Sequence, residues 1–361
     1  MPAEEKGWVR AAVPIRTSAK PADMVRLEVA GKKLTGFDGL TITMAIDSLA
    51  DSFALTMPYD PDRSDLHAAL RPFAYTPCKV YLDDDLLRTG RVEKLAPKMD
   101  AGERSLTVEG RSLTGVLVDC GIEGDLEFSG LTLAAIARKL CKPFALTVRA
   151  DADTPAIEVA RAEYGQAVQD FLNSLAAPRN FFINSSFEGK LVISSASALT
   201  QATPVAALVE GRAPLLAVSA SYDGTRRFSS YDVGAQFAGE IDVNGHEDDT
   251  AIAVHRPTFI AAKDTDPDPN ATARRARMEA IAAALPITAT VSGWRTPRGQ
   301  RWHERQSVTL KAPGAMLATE RKYLIAEATF RLDKSAGKTV DLRLVMAEAY
   351  AGKPLGVLPW A

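Results

Sequence analysis

The sequence predicts a mainly β chain in which a small α/β domain sits between two similar β-barrel domains. Three observations predict it. Residues 25–109 alternate apolar and polar side chains in short runs bounded by Gly, Asp and Pro. After Cys120 the apolar spacing lengthens to that of a helix. From Leu215 the alternation returns.

Residues 1–22 are expected to form an arm, because Val13-Pro14 and Lys20-Pro21 break any periodicity. Val25, Leu27 and Val29 then alternate with Arg26 and Glu28, and Leu40, Ile42 and Met44 with Thr41 and Thr43. Strands are also expected at Phe53–Met57, Lys79–Leu82, Leu86–Val92 and Ser105–Glu109, with Asp83-Asp84-Asp85 as a turn. Leu133, Ile136, Ala137 and Leu140 fall on one helical face, with Thr132 as N-cap and Pro143 as stop. Val168, Phe171, Leu172 and Leu175 repeat that spacing up to Pro178, and a hairpin follows around Glu188-Gly189. The later strands are expected at 215–222, 231–237, 287–294, 307–310, 323–330 and 340–346. One helix, about Ala271 to Leu285 with Asn270 as N-cap, interrupts them.

The two β regions share a pattern. Gly90 to Leu95, a turn at Asp100-Ala-Gly102 and Ser105 to Gly110 are matched by Ala326 to Leu332, a turn at Ser335-Ala-Gly337 and Thr339 to Leu344. That match suggests duplicated barrels. The resulting division is an arm (1–22), a first barrel (23–120), a small α/β domain (121–205), a second barrel with one helix near 271–285 (206–350) and a tail (351–361).

Composition narrows function. At 46% apolar and 24% charged residues the chain is an ordinary globular sequence. Its 43 basic and 45 acidic residues leave a formal charge of −2, which argues against a dedicated nucleic-acid binder. Cys78, Cys120 and Cys141 make no zinc or redox spacing, and Cys120 and Cys141 read as core thiols. Glu4, Glu5, Lys6 and Arg10 crowd a start that lacks a signal peptide's apolar core, so synthesis in the cytosol is expected. No uncharged run is apolar enough to insert in a membrane.

Sites of chemistry are hard to find. No Gly-x-Ser-x-Gly or phosphate-cradling glycine motif occurs, and His67, His246, His255 and His303 are scattered. Asp264-Thr-Asp-Pro-Asp-Pro-Asn270 begins like a calcium loop but has Pro269 where that loop needs Gly and Arg275 where it needs Glu, so it reads as a linker. Gly245-His-Glu-Asp-Asp249 reads as a solvated loop. No catalytic residue, cofactor site or metal site is assigned. The remaining cluster, Trp294, Arg295, Arg298, Arg301, Trp302 and Arg305, could stack on nucleic-acid bases, but it is assigned first to a protein interface, where Arg and Trp are favoured.

Three stretches carry a family resemblance. Gly110-Arg-Ser-Leu-Thr-Gly-Val-Leu-Val-Asp-Cys120 resembles a signature of the baseplate hub proteins of Mu-like contractile phages. His255-Arg-Pro257 through Val291-Ser-Gly-Trp294, and Gly299-Gln-Arg-Trp302 through Leu332, support it in order and spacing. One departure is His255, where family members often carry Arg. The resemblance implies a non-enzymatic homotrimer, a ring at the tip of the tail tube, similar to the N-terminal part of type VI secretion spike proteins. It implies two partners, the tail tube protein and the tail spike protein, and a lumen through which DNA passes without specific binding. Residence in the virion baseplate follows. Rival readings are a glycan-binding module using Trp294, Trp302 and Tyr323, and a peptidoglycan hydrolase component.

Overall fold

The first β region opens with β1 (Val25–Val29), whose Val25, Leu27 and Val29 are buried while the intervening side chains lie at the rim, as a strand with one face on a core requires. β2 (Lys32–Leu34) folds back on it, and β3 (Gly39–Ala45), β4 (Ser52–Pro58), helix α1 (Ser64–Ala69), β5 (Pro77–Leu82), β6 (Asp85–Met99) and β7 (Arg104–Ser112) follow. The computed structural model describes residues 23–350 except 63, 103, 196–198, 200–201, 238–239, 263–267 and 334–336. The expected arm and tail, most of the acidic stretch from Asp264, and the second turn at Ser335-Ala336 therefore lie outside the described residues.

A 3-10 turn at Leu113–Gly115 and helix α2 (Val116–Asp119) lead into the insert. It comprises β8 (Glu127–Thr132), α3 (Leu133–Cys141), β9 (Val148–Ala150), β10 (Ala156–Arg161), α4 (Val168–Ala176), β11 (Phe181–Ser185) and β12 (Leu191–Ser195). The Thr132 hydroxyl accepts from the Ala135 amide at 3.2 Å, the N-cap that the spacing predicts. Leu133, Ile136, Leu140, Phe171, Leu172 and Leu175 close a core separate from the main one. β9 joins the β11–β12 hairpin, and β8 pairs with β10.

The chain then returns through β13 (Pro204–Val209) and β14 (Leu215–Ala220). Next come β15 (Ser230–Phe237), β16 (Glu240–Asp248), β17 (Pro257–Ala261) and α5 (Pro269–Ala283). Tyr231–Phe237, expected in the second barrel, instead belongs to a separate three-stranded sheet whose small core includes Tyr231, Val233 and Ala273 of α5. The α5 N-cap is Asp268, which accepts from the Asn270 amide at 2.9 Å, and not Asn270. Pro269 occupies the first turn, where its fixed φ suits a helix start. β18 (Ile287–Ser292), β19 (Ser307–Ala312), β20 (Leu317–Asp333), β21 (Gly337–Val345) and α6 (Ala347–Tyr350) complete the fold.

The expected two barrels take another form. Both β regions share one thirteen-stranded sheet, and among the described residues no ladder closes either region on itself. The link is β20. Its first part pairs with β19, and Glu327–Leu332 pair with β3 on that same side. The sheet thus continues from one region into the other, over one shared core.

Strand order is nevertheless repeated. The sequence of neighbours β3-β4-β7-β6-β5-β1 recurs as β14-β18-β21-β20-β19-β13. A bulge at Val92/Lys94 in β6 matches one at Ile325/Glu327 in β20. The Val92 amide donates to the Thr76 carbonyl at 2.9 Å, and the Ile325 amide to the Gln306 carbonyl at 2.8 Å. Even the cross-strand ion pairs correspond, with charges reversed: Lys94 with Glu109, and Glu327 with Arg343. One difference is that β1 is antiparallel to β5 whereas β13 is parallel to β19.

Candidate functional site

The Gly110–Cys120 signature welds the first β region to the insert. Strands β6 and β7 approach so closely that a Cβ on Gly110 would lie 2.1 Å from the Arg91 carbonyl oxygen and 2.5 Å from the Phe53 ring. A Cβ on Gly90 would meet the Arg111 carbonyl at 2.1 Å. Only glycine fits at either place. Arg111 bridges Asp119 at 2.5 Å and Glu93 at 2.6 Å, and hydrogen bonds to those two carboxylates hold its pKa above the ordinary arginine value. The Ser112 and Thr114 hydroxyls both donate to the Leu49 carbonyl, at 2.7 and 2.6 Å. Every polar group of the motif is thus spent on joining elements.

Next to the weld lies a buried ionic junction. Arg88 of β6 contacts Asp51 at 2.7 Å and Glu304 at 2.8 Å, and all three are buried. Asp51 belongs to the β3–β4 connection and Glu304 to the β18–β19 connection, so the triad ties both β regions together. The insert joins through Phe187, whose carbonyl accepts from the Thr89 amide at 2.8 Å and whose ring lies 5.1 Å from the Arg88 guanidinium and 4.1 Å from that of Arg301. Burial pushes the Asp51 carboxyl up to about 7, against the pull of Arg88. Burial acts the same way on Glu304, but the charge and hydrogen bond of Arg88 prevail and hold it below the usual carboxylate range. One cation between two buried carboxylates therefore favours one ionised partner and one that keeps its proton far toward neutrality.

The predicted interface cluster turns out to be an internal seam. Trp294 and Trp302 are core residues, and the Trp294 indole donates to the Arg331 carbonyl at 3.0 Å. Arg295 is held by Asp23, Asp83 and Asp85 at 3.0, 2.8 and 3.4 Å. Arg301 donates to the Leu86 carbonyl at 3.1 Å, and Arg305 to Asn184 and Ser194 at 3.0 and 2.9 Å. Arg298 alone of the six is exposed. Polar neighbours in sequence suggested a surface patch; the arginines in fact cross to acids and carbonyls of the first β region and the insert, sealing the tryptophans below.

The same burial removes the glycan reading, since Trp294, Trp302 and Tyr323 offer no open platform. Asp51 and Glu304 lie too deep for a substrate. The histidines have local partners or stand apart: His67 pairs with Tyr59, His246 lies between Asp232 and Asp248, His303 is half-buried against its own loop, and His255 is exposed. In the Gly245–Asp249 stretch, Glu247 and Asp249 pair with Arg277 and Arg227. Among the described residues no group of three potential ligands could hold a metal ion, and no helix is long and apolar enough to cross a membrane. Sequence reasoning missed the Arg88 triad, because its members are far apart in the chain and carry no motif.

Two family models match successive parts of the chain. Residues 24–112 match the family described as Mu phage baseplate assembly protein GpP-like, N-terminal. Residues 114–195 match the family described as baseplate hub protein gp44-like, second domain. Baseplate hub protein gp44 of Escherichia phage Mu is 27% identical over 349 residues, covering 91% of this chain and 89% of the relative. The 43 kDa tail protein of prophage MuSo2 from Shewanella oneidensis superimposes with a TM-score of 0.78 at 25% identity, over 91% of this chain and 99% of that one. A tail protein from Neisseria meningitidis MC58 shares the fold, with a TM-score of 0.77 at 23% identity over 92% and 99% of the two chains.

Proposed function

We propose that this chain is a baseplate hub protein like those of the Mu-like phages and prophages it resembles, acting as a homotrimeric ring that joins a sixfold tail tube to a threefold central spike. It is a structural component of a phage tail baseplate, as its relatives are, and not an enzyme. The observation that carries the ring is the repeated strand order, running in one sheet through β20 and β3. Three such chains present six related modules to one partner and three pairs to the other. Cyclic closure needs a head-to-tail contact between two different patches of the same chain. A DNA polyanion must pass the lumen without being held, and the −2 balance of the chain suits a lining that does not arrest it. Arg298, the exposed member of the expected interface set, is assigned to the contact with a neighbouring chain or with the spike. The Arg88 junction ties the two modules together, and the insert meets it through Phe187.

Light scattering on the purified chain tests the reading. A mass three times the 38.8 kDa of one chain, with an annulus in negative-stain images, is expected. A monomer at tens of micromolar with no ring would overturn it.

A further inference from the structure

Within one chain the two modules already meet along a defined contact. Within the chain, the second module presents β20 and the β18–β19 loop. The first module receives them with strand β3 and the β5–β6 turn. β20 pairs with β3 at Glu327–Leu332, while Arg295 of the loop grips Asp83 and Asp85 of the turn at 2.8 and 3.4 Å.

Each of these elements has a counterpart in the repeated strand order. On the first module, β20 corresponds to β6 and the β18–β19 loop to the β4–β5 loop. On the second, β3 corresponds to β14 and the β5–β6 turn to the β19–β20 turn at Pro313–Met316. Among the described residues no strand of these counterparts pairs with its mate. Among the described residues β14 pairs only with β18, and the second half of β6, Lys94–Met99, pairs only with β7.

Both unmated faces carry exposed apolar side chains. On the β4–β5 loop, Phe73 and Tyr75 are 90% and 58% exposed. They sit at φ of +62° and +48°, in a segment bounded by Pro72 and Pro77. Two left-handed non-glycine residues between prolines make a stiff aromatic knob. On the other face, Leu216 of β14 and Met316 of the β19–β20 turn are 59% and 64% exposed. Beside Leu216 lies a shallow groove lined by Glu210, Leu215, Ala312, Gly314 and Ala315, with the Glu210 carboxylate accepting from the Gly314 amide at 2.7 Å.

We infer that the Phe73–Tyr75 knob of one copy seats against Leu216 and Met316 of the next, with the outer edge of β6 lying beside the outer edge of β14. This inference rests on the ring reading and names the seam that closes the ring. Pro97 withholds one backbone donor along β6, so the side chains of the knob carry this seam more than a full ladder does.

The test uses the full chain with Tyr75→Cys and Met316→Cys together, mildly oxidised. Covalent dimers and trimers on a non-reducing denaturing gel are expected, and neither single variant should give them. Phe73→Asp, folded by circular dichroism, should raise the concentration at which trimer forms by about tenfold or more, the effect of losing an interface anchor. Trimer by light scattering without the cross-link would overturn this seam and leave the hub reading standing. A chain that stays monomeric would overturn both.

Discussion

Arg88→Met probes the junction most sharply. Arg88 lies 2.7 Å from Asp51 and 2.8 Å from Glu304, and all three side chains are at least 95% buried. A methionine fills most of the arginine stem but leaves two carboxylates facing each other without a cation. Breaking a buried ion pair on one side costs ~3–5 kcal/mol. The carboxylates can escape that cost by binding protons, so the loss shrinks as pH falls. The assay is chemical denaturation followed by the fluorescence of buried Trp294 and Trp302, run at about pH 8 and about pH 5, either side of the window in which such carboxylates titrate. The expected result is a loss of ~3–5 kcal/mol in the alkaline series, clearly smaller in the acidic one. Adding Asp51→Asn and Glu304→Gln removes the uncompensated charge while keeping the acceptor for the Ala45 amide, 2.9 Å from Asp51, and restores most of the loss. A single-variant loss below ~1 kcal/mol, typical of a surface substitution, would refute the reasoning; so would a loss equal at both pH values.

In the wild type, Asp51 has its carboxyl raised from 3.8 to about 7. The native state then binds more protons than the unfolded one across that window, so its contribution is fully present at the acid end and is lost as pH rises through about 7. Asp51→Asn should flatten this part of the stability–pH profile, and a variant with an unchanged profile would contradict it. Gly110→Ala forces a Cβ to within 2.1 Å of the Arg91 carbonyl and should cost at least ~2 kcal/mol, read as a lower denaturation midpoint; an unchanged midpoint would show that β6 and β7 can separate freely. Burial pushes the Cys78 and Cys141 thiols up to about 12, so both should resist a thiol reagent in the native chain and react on unfolding, as mass spectrometry of the labelled sites would report.

Strand β1 and helices α3 and α4 were legible because one face of each is buried and the burial imposes a period on the residues. The signature from Gly110 was legible as a family mark, though its physical role appears only when Gly110 is seen beneath Phe53. Less could be read where burial is weak or arises from distant partners. β8 and β10 form a two-stranded ribbon with most side chains outside the core, so no clean alternation marks them. β16, Glu240–Asp248, is rich in acids in its sequence, and Glu247 pairs with Arg277 of α5 rather than facing a core. Trp294 and Trp302 are expected at an interface because Arg and Trp are favoured there; instead the neighbouring arginines bond away from the tryptophans, to residues hundreds of positions distant. The single sheet depends on the pairing of β20 with β3, a long-range register that no local pattern encodes.

A reconstruction of the assembled full chain by electron cryomicroscopy tests the central claim most directly. Three copies around one axis are expected, with the module built on β6 and the module built on β20 alternating at six related positions. A map in which the two modules occupy unrelated positions, or particles of single chains alone, would contradict it.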